Sequence, residues 1–169
     1  MATTLHLEHA FQCSADALYG LVSDTTFDAD LLEAIAVDAE VLNYEERSDG
    51  RTLRYRFRPR RKIPPGLKKV MSKPMEWVEE RAWSDMTRTH TWKITPGFAP
   101  KRALIEGTYQ VLEGDDGNAL RVIRGTFGVR TPVFGKTIER FLVRQTTDAF
   151  DRGADFIRAH LGEAEEEET

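Results

Sequence analysis

The stretch that most constrains the fold is the last strand pattern together with the long segment after it, Leu120 to Leu161. A two-residue alternation of apolar and polar side chains gives way at Pro132 to a helical period that lasts until Gly162. Phe134, Ile138, Phe141, Leu142, Gln145, Ala149, Phe150, Gly153, Phe156, Ile157 and Leu161 then form one broad, mainly apolar stripe. Arg140, Arg144, Asp148, Asp151, Asp155 and Arg158 fall mostly on the other side. At 1.5 Å per residue such a helix runs about 40 Å. A helix of that length, ending a chain otherwise full of strand patterns, needs one large curved sheet against which to bury its stripe. That arrangement leaves room for a ligand cavity.

The rest of the chain supplies the sheet. Leu5, Leu7, His9 and Phe11 alternate with polar neighbours as a half-buried first strand. Ser14 caps a short helix carrying Ala17, Leu18, Leu21 and Val22, and a second helical piece spans about Asp28 to Ala34. Asp49-Gly50 predicts a tight hairpin that sets Tyr44 opposite Tyr55 and Leu42 opposite Phe57. A one-residue bulge would instead put Val41 and Asn43 inside. Either way Arg54, Arg56 and Arg58 point to solvent.

Further strands are expected over Met75 to Ser84 and over Thr87 to Thr95. In the last hairpin, a turn centred on Asp116 pairs positions whose numbers sum to 232: Ile105 with Phe127, Gly107 with Gly125, Tyr109 with Ile123. Two glycines then lie side by side on the inner face, predicting space for a helix or ligand to come close.

The formal net charge of −4 hides a segregation. From Arg51 to Lys73 there are ten basic residues and no acidic one, whereas residues 163–169 carry five glutamates and no cation. Residues 59–74, with three prolines after the first, break the strand rhythm and mix Ile63, Leu67, Val70 and Met71 with Arg60, Arg61, Lys62, Lys68, Lys69 and Lys73. This is the composition of a segment that docks on an anionic membrane surface, and equally of a loop whose apolar residues cover a cavity mouth.

Cys13 is the only cysteine, so one chain holds neither an internal disulfide nor a cysteine-based zinc site. His6 and His9, three apart on a strand, project to opposite faces, and no His-Glu-x-x-His cluster occurs. Gly135-Lys136-Thr137 looks like the end of a phosphate-binding loop, but Arg130 stands where its first glycine is required. Pro132 and Gly135 read instead as shaping the strand-to-helix corner, with Thr131 as a cap. The opening residues carry no basic segment followed by an apolar run, and the expectation is a cytoplasmic protein with no cofactor and no metal.

One strand, two short helices, six more strands and one long helix resemble the START-like, or helix-grip, superfamily over residues 3 to 161. A Pro, a Gly and an Ile-Glu pair opening the last helix, here Thr131 to Glu139, are similar to an uncharacterised bacterial branch of it. The resemblance implies an α+β fold, a seven-stranded curved antiparallel sheet gripping the helix around a hydrophobic cavity, as one domain over residues 1–162 with a disordered acidic tail at 163–169. It implies no single activity, since the same cavity serves carriers, sensors and enzymes.

The side chains assigned to that cavity are Leu31, Tyr55, Phe57, Trp77, Glu79, Arg81, His90, Trp92, Ile105, Tyr109, Phe127, Leu142, Gln145 and Phe156. Glu79 and Arg81 follow Trp77 and Trp83 inward, as a pair for a polar ligand group; with the strand turned over, Val78 and Ala82 are buried and both charges stand in solvent. The expected function is non-enzymatic binding or transport of a hydrophobic, lipid-like molecule, with residues 59–74 as lid or membrane-docking surface and a transient contact with an anionic membrane. An enzyme of the cyclase or hydratase type would need two of His9, His90, Glu79 and Arg81 to converge. A polyanion or protein interaction module would use the Arg54, Arg56, Arg58 row. It lacks exposed aromatics for stacking on bases, so no nucleic-acid partner is expected.

Overall fold

The computed structural model describes residues 1–60, 63–68 and 75–168, the last six of these by backbone only. Seven antiparallel strands form one sheet in the order β1-β7-β6-β5-β4-β3-β2. These are β1 (Thr3–Phe11), β2 (Val37–Arg47), β3 (Gly50–Pro59), β4 (Trp77–Ser84), β5 (Thr89–Pro96), β6 (Ala103–Glu113) and β7 (Ala119–Val129). The helices are α1 (Ala15–Val22), α2 (Thr25–Ala34), the single turn α3 (Pro65–Lys68) and α4 (Gly135–Glu168). This is the helix-grip architecture expected from the sequence. The backbone of α4 continues past Gly162, where the sequence pattern predicts its end.

Because β1 pairs with β7 and not with β2, the chain must cross from one sheet edge to the other after its first strand. Two short helices make that crossing. Ser14 Oγ accepts from the Ala17 amide and caps α1, and the Asp24 carboxylate accepts from the Thr26 and Phe27 amides and caps α2. Their apolar faces, with Leu18 and Leu32 buried, close one side of the layer between sheet and α4.

The β6–β7 register is the predicted one, with Ile105 opposite Phe127, Gly107 opposite Gly125 and Tyr109 opposite Ile123. The turn is fixed by the Gly114 amide donating to the Asn118 carbonyl and by Gly117 at φ +79°.

Two expectations about the sheet are corrected. The space over Gly107 and Gly125 is taken by neither helix nor ligand: the Trp92 indole, from the adjacent β5, lies across it. A Cβ on Gly107 would come within 2.3 Å of Trp92 Cζ2, and one on Gly125 within 2.5 Å of Cη2. The β2–β3 hairpin turns one step earlier, through Ser48-Asp49, with Arg47 opposite Gly50. Gly50 is required there because a Cβ would meet the Trp83 carbonyl of β4. A bulge between Val41 and Asn43 then sets Val41 opposite Tyr55 and Ala39 opposite Phe57, while Asn43 faces Arg54 on the outer side. Tyr44 ends opposite Leu53 and is exposed, since this edge strand runs beyond the cover of the helices.

Glu139 locks the start of α4 to the sheet. Its buried carboxylate accepts from the Thr3 amide and hydroxyl, the Val129 amide and the Lys136 ammonium. Burial alone would raise this carboxyl's pKa, but the donors together hold it below the usual value. Thr131, expected as a cap, does not serve as one: its hydroxyl is buried with no partner among the described residues. Among the described residues no helix is long and apolar enough to cross a membrane.

A cavity between sheet and helix

The α4 stripe divides its work along its length. Ile138, Phe141, Ala154 and Ile157 are fully packed, whereas Leu142, Gln145, Thr146, Ala149, Phe150 and Gly153 border a gap between helix and sheet. The gap is a cavity of about 170 Å³. Its walls come from β3 to β7, α2 and α4: Phe57, Trp77, Trp83, Trp92, Ile94, Ile105 and Phe127 from the sheet, Phe27, Leu31, Leu32 and Ile35 from the helical side. Leu67 of α3 packs with Met75, Val129, Ile138 and Phe141 in a separate small core, against which Trp77, Phe98 and Leu142 also rest. The described part of the basic excursion therefore packs beside the cavity, against Met75, Trp77, Phe98 and Leu142 that also line it, with Leu67 buried and Lys68 exposed.

Of the residues assigned to the cavity from sequence, Leu31, Phe57, Trp77, Glu79, Arg81, His90, Trp92, Ile105, Tyr109, Phe127, Leu142 and Gln145 line it. Two do not. Tyr55 lies one layer back, stacked on Phe57 at 5.0 Å with its hydroxyl donating to Asp28, and Phe156 packs against Phe27 at 5.6 Å.

The β4 strand shows its tryptophan side inward, and Glu79 and Arg81 go with it. Arg81 donates through Nε to Glu79 at 2.5 Å and through Nη1 to Asp28 Oδ2 at 3.1 Å. Its guanidinium also lies 5.1 Å from the Tyr55 ring centroid. One cation thus holds two carboxylates in the cavity wall. Burial pushes the Glu79 carboxyl up, opposed by Arg81. Burial acts against the Arg81 charge too, but Glu79 and Asp28 outweigh it and raise that pKa. Asp28 is absent from the residues assigned by sequence, although it shares the α2 face with Leu31 and Leu32.

At the opposite side sits a second polar group. Arg121 is 2 % exposed and lines the cavity. It donates through Nη1 to the Tyr109 hydroxyl at 3.3 Å, and through Nη2 to His9 Nδ1 at 3.1 Å and the Phe150 carbonyl at 2.9 Å. Phe11, Tyr109 and Phe150 stack around its guanidinium at 5.4–5.5 Å. The parity that turns Ile123 and Phe127 inward also turns Arg121 inward, so the signal for it is present in the strand pattern.

His90, 3 % exposed, stacks on Tyr109 at 4.6 Å and meets Trp83 at a tilt at 4.2 Å. Its Nδ1 lies 3.2 Å from the Thr91 carbonyl, so the proton sits on Nδ1 and the lone pair on Nε2. Burial, aided by the Arg81 charge, holds its pKa well below the ordinary histidine value.

The basic surface is largely neutralised in the described structure. Arg54 pairs with Glu80, Arg56 with Glu40 and Glu76, and Arg58 with Glu76. Arg60 bridges Glu33 and Asp38. Of the six residues assigned to membrane docking, Arg61, Lys62, Lys69 and Lys73 lie outside the described residues. Among the described residues no group of three potential metal-ligating side chains converges.

A family model described as a protein of unknown function (DUF2505) matches residues 6–161. The chain belongs to this family. Among curated proteins, none matches in sequence. Among solved structures, the DUF2505 chain is similar to TTHA0849 from Thermus thermophilus (17% identity, 96% of this chain and 99% of that chain, TM-score 0.67). It is also similar to the Zhui aromatase/cyclase from Streptomyces (12%, 92% and 93%, TM-score 0.65) and to norcoclaurine synthase from Thalictrum flavum (17%, 93% and 87%, TM-score 0.64). At these identities the likeness establishes the helix-grip fold alone.

Proposed function

We propose that this DUF2505 chain binds a hydrophobic small molecule of about one ring in size in the cavity under α4, with α3 packed beside it. The observation that carries the reading is the cavity itself: about 170 Å³, with mainly apolar and aromatic walls, in which Arg81 is already paired to Asp28 and Glu79. An apolar cavity of about 150 Å³ is enough to take up benzene. The lipid-like ligand expected from sequence fits less well, because an acyl chain needs a longer space and would have to lift α3 and its Leu67 contacts. Docking on an anionic membrane would likewise have to draw on Lys68 and the residues around it, since Arg60 is already held by two carboxylates.

A second reading, catalysis on the bound molecule, is favoured by one observation. His90 and Tyr109 are stacked and both line the cavity, which puts a neutral imidazole lone pair and a hydroxyl in the same wall. The similarity to a fold named as an aromatase/cyclase agrees with that chemistry. Native mass spectrometry of protein purified without detergent, followed by solvent extraction, tests the binding reading. A stoichiometric small-molecule adduct supports it. An apo mass that persists after incubation with cell extract contradicts it.

A further inference from the structure

The three arginines that line the cavity differ in their partners, and Arg152 is paired with Asp148. Arg81 is held by two carboxylates, Asp28 and Glu79, so that side offers no free positive charge. Arg121 has only neutral partners: the Tyr109 hydroxyl, the Phe150 carbonyl and the His9 ring. No carboxylate lies within ion-pair distance of Arg121 among the described residues, and its Nε is buried without a partner. The nearest acid on that side, Asp151, is reached only through His9, whose Nε2 lies 2.8 Å from it; the Asp151 side chain is 58% exposed. Burial, aided by Arg121, lowers the His9 pKa despite the Asp151 hydrogen bond, and so keeps the ring neutral. A guanidinium closed in by three aromatic rings, with its counter-ion beyond a neutral imidazole, leaves a positive potential in the wall.

Tyr109 carries that potential to the cavity. Its hydroxyl oxygen accepts from Arg121, so its own proton is free to be donated to a ligand. Such a donor, with a cation behind it, favours an oxygen that is negatively charged.

We propose that the molecule bound in this cavity is a ring-sized oxygen acid, whose carboxylate or phenolate accepts a hydrogen bond from Tyr109 Oη with Arg121 behind it. The inference rests on the binding reading above and adds the charge of the ligand.

The test uses four probes of similar size and different charge: toluene, benzylamine, benzoate and 4-nitrophenol, titrated calorimetrically at pH 8. The last also reports its ionisation through its absorption spectrum. Benzoate and 4-nitrophenolate are expected to bind at least about tenfold tighter than toluene, with benzylamine weakest. The two anions separate the carboxylate from the phenolate case. Tyr109→Phe, which keeps ring and volume, should cost the anions about tenfold relative to toluene. Arg121→Met should remove the preference, and Tyr109→Phe decides the matter should that variant fail to fold. Toluene binding without anion binding, benzylamine binding above benzoate through Asp28 and Glu79, or anion affinity unaltered in Tyr109→Phe each overturns the proposal while leaving the cavity reading standing. Binding of none of the four, toluene included, overturns both.

Discussion

His9 and Arg121 face each other across β1 and β7, and Nη2 of Arg121 donates to Nδ1 of His9 at 3.1 Å. A guanidinium has no lone pair to offer, so the His9 proton can sit only on Nε2, toward Asp151. Protonating His9 would therefore break the contact with Arg121 and place two cations in one buried cluster.

That constraint sets a pH dependence. His9 and His90 both have pKa values below the ordinary 6.5, in each case first through burial. A histidine depressed in the folded state leaves stability intact above the unfolded value and reduces it as pH falls below that value, because the unfolded chain binds the proton more readily. The melting temperature should thus be flat from pH 8 to 7 and fall between about pH 6.5 and 5. Glu79, raised by burial, acts in the opposite sense at the lower end. His90→Phe, which preserves the stack on Tyr109 and the contact with Trp83, should make the acid decline shallower. Thermal unfolding at half-unit pH steps would show this, and equal stability of the wild type at pH 5.5 and 7.5 would refute it.

The Trp92 indole over Gly107 and Gly125 predicts coupled mutations. Gly125→Ala places a methyl within 2.5 Å of Trp92 Cη2 and should destabilise by about 1–3 kcal/mol as overpacking. In a Trp92→Leu background the same change should cost much less, a coupling that a double-mutant cycle in denaturant measures. Additive losses would mean that the indole does not set the requirement for glycine.

These glycines also show what sequence can and cannot reveal. Their pairing depends on one hairpin and one turn, all local, and so is legible. The occupant of the space comes from the neighbouring strand, whose register depends on long-range pairing. The same limit explains the β2–β3 hairpin: a bulge on an exposed edge strand leaves little trace in apolar alternation, because Val41 and Tyr44 are apolar yet exposed. The long helix is a periodic feature and can be read, whereas alternation along β4 leaves two faces open, and the structure turns Glu79 and Arg81 inward. Asp28 cannot be read, since its role depends on α2 being placed within reach of Tyr55 and Arg81, and Arg121 is hidden by the habit of reading arginine as a surface residue.

Arg81 offers a test of the buried charge cluster. Arg81→Met leaves Asp28 and Glu79 facing each other without a cation, and breaking a buried pair in this way costs about 3–5 kcal/mol. Adding Glu79→Gln to Arg81→Met should recover part of that loss. Chemical denaturation midpoints of the three proteins check it; no recovery in the double variant would show that Glu79 is not held by Arg81.

Glu139 should matter for stability out of proportion to its place at a helix start. Glu139→Ala strands the Val129 and Thr3 amides, and a loss of about 1–3 kcal/mol per unsatisfied buried donor is expected. Amide hydrogen exchange should localise the loss to the first turns of α4 and the paired ends of β1 and β7. Uniform loosening of the whole sheet would contradict this anchoring role.

The central claim, a cavity that takes a ring-sized molecule, has a direct optical readout because all three tryptophans of the chain, Trp77, Trp83 and Trp92, line it. Tryptophan emission during titration with toluene and benzoate should change saturably and to the same end point at one-to-one stoichiometry. Emission that stays constant, or drifts linearly to the solubility limit of both compounds, would mean that the space under α4 does not bind them.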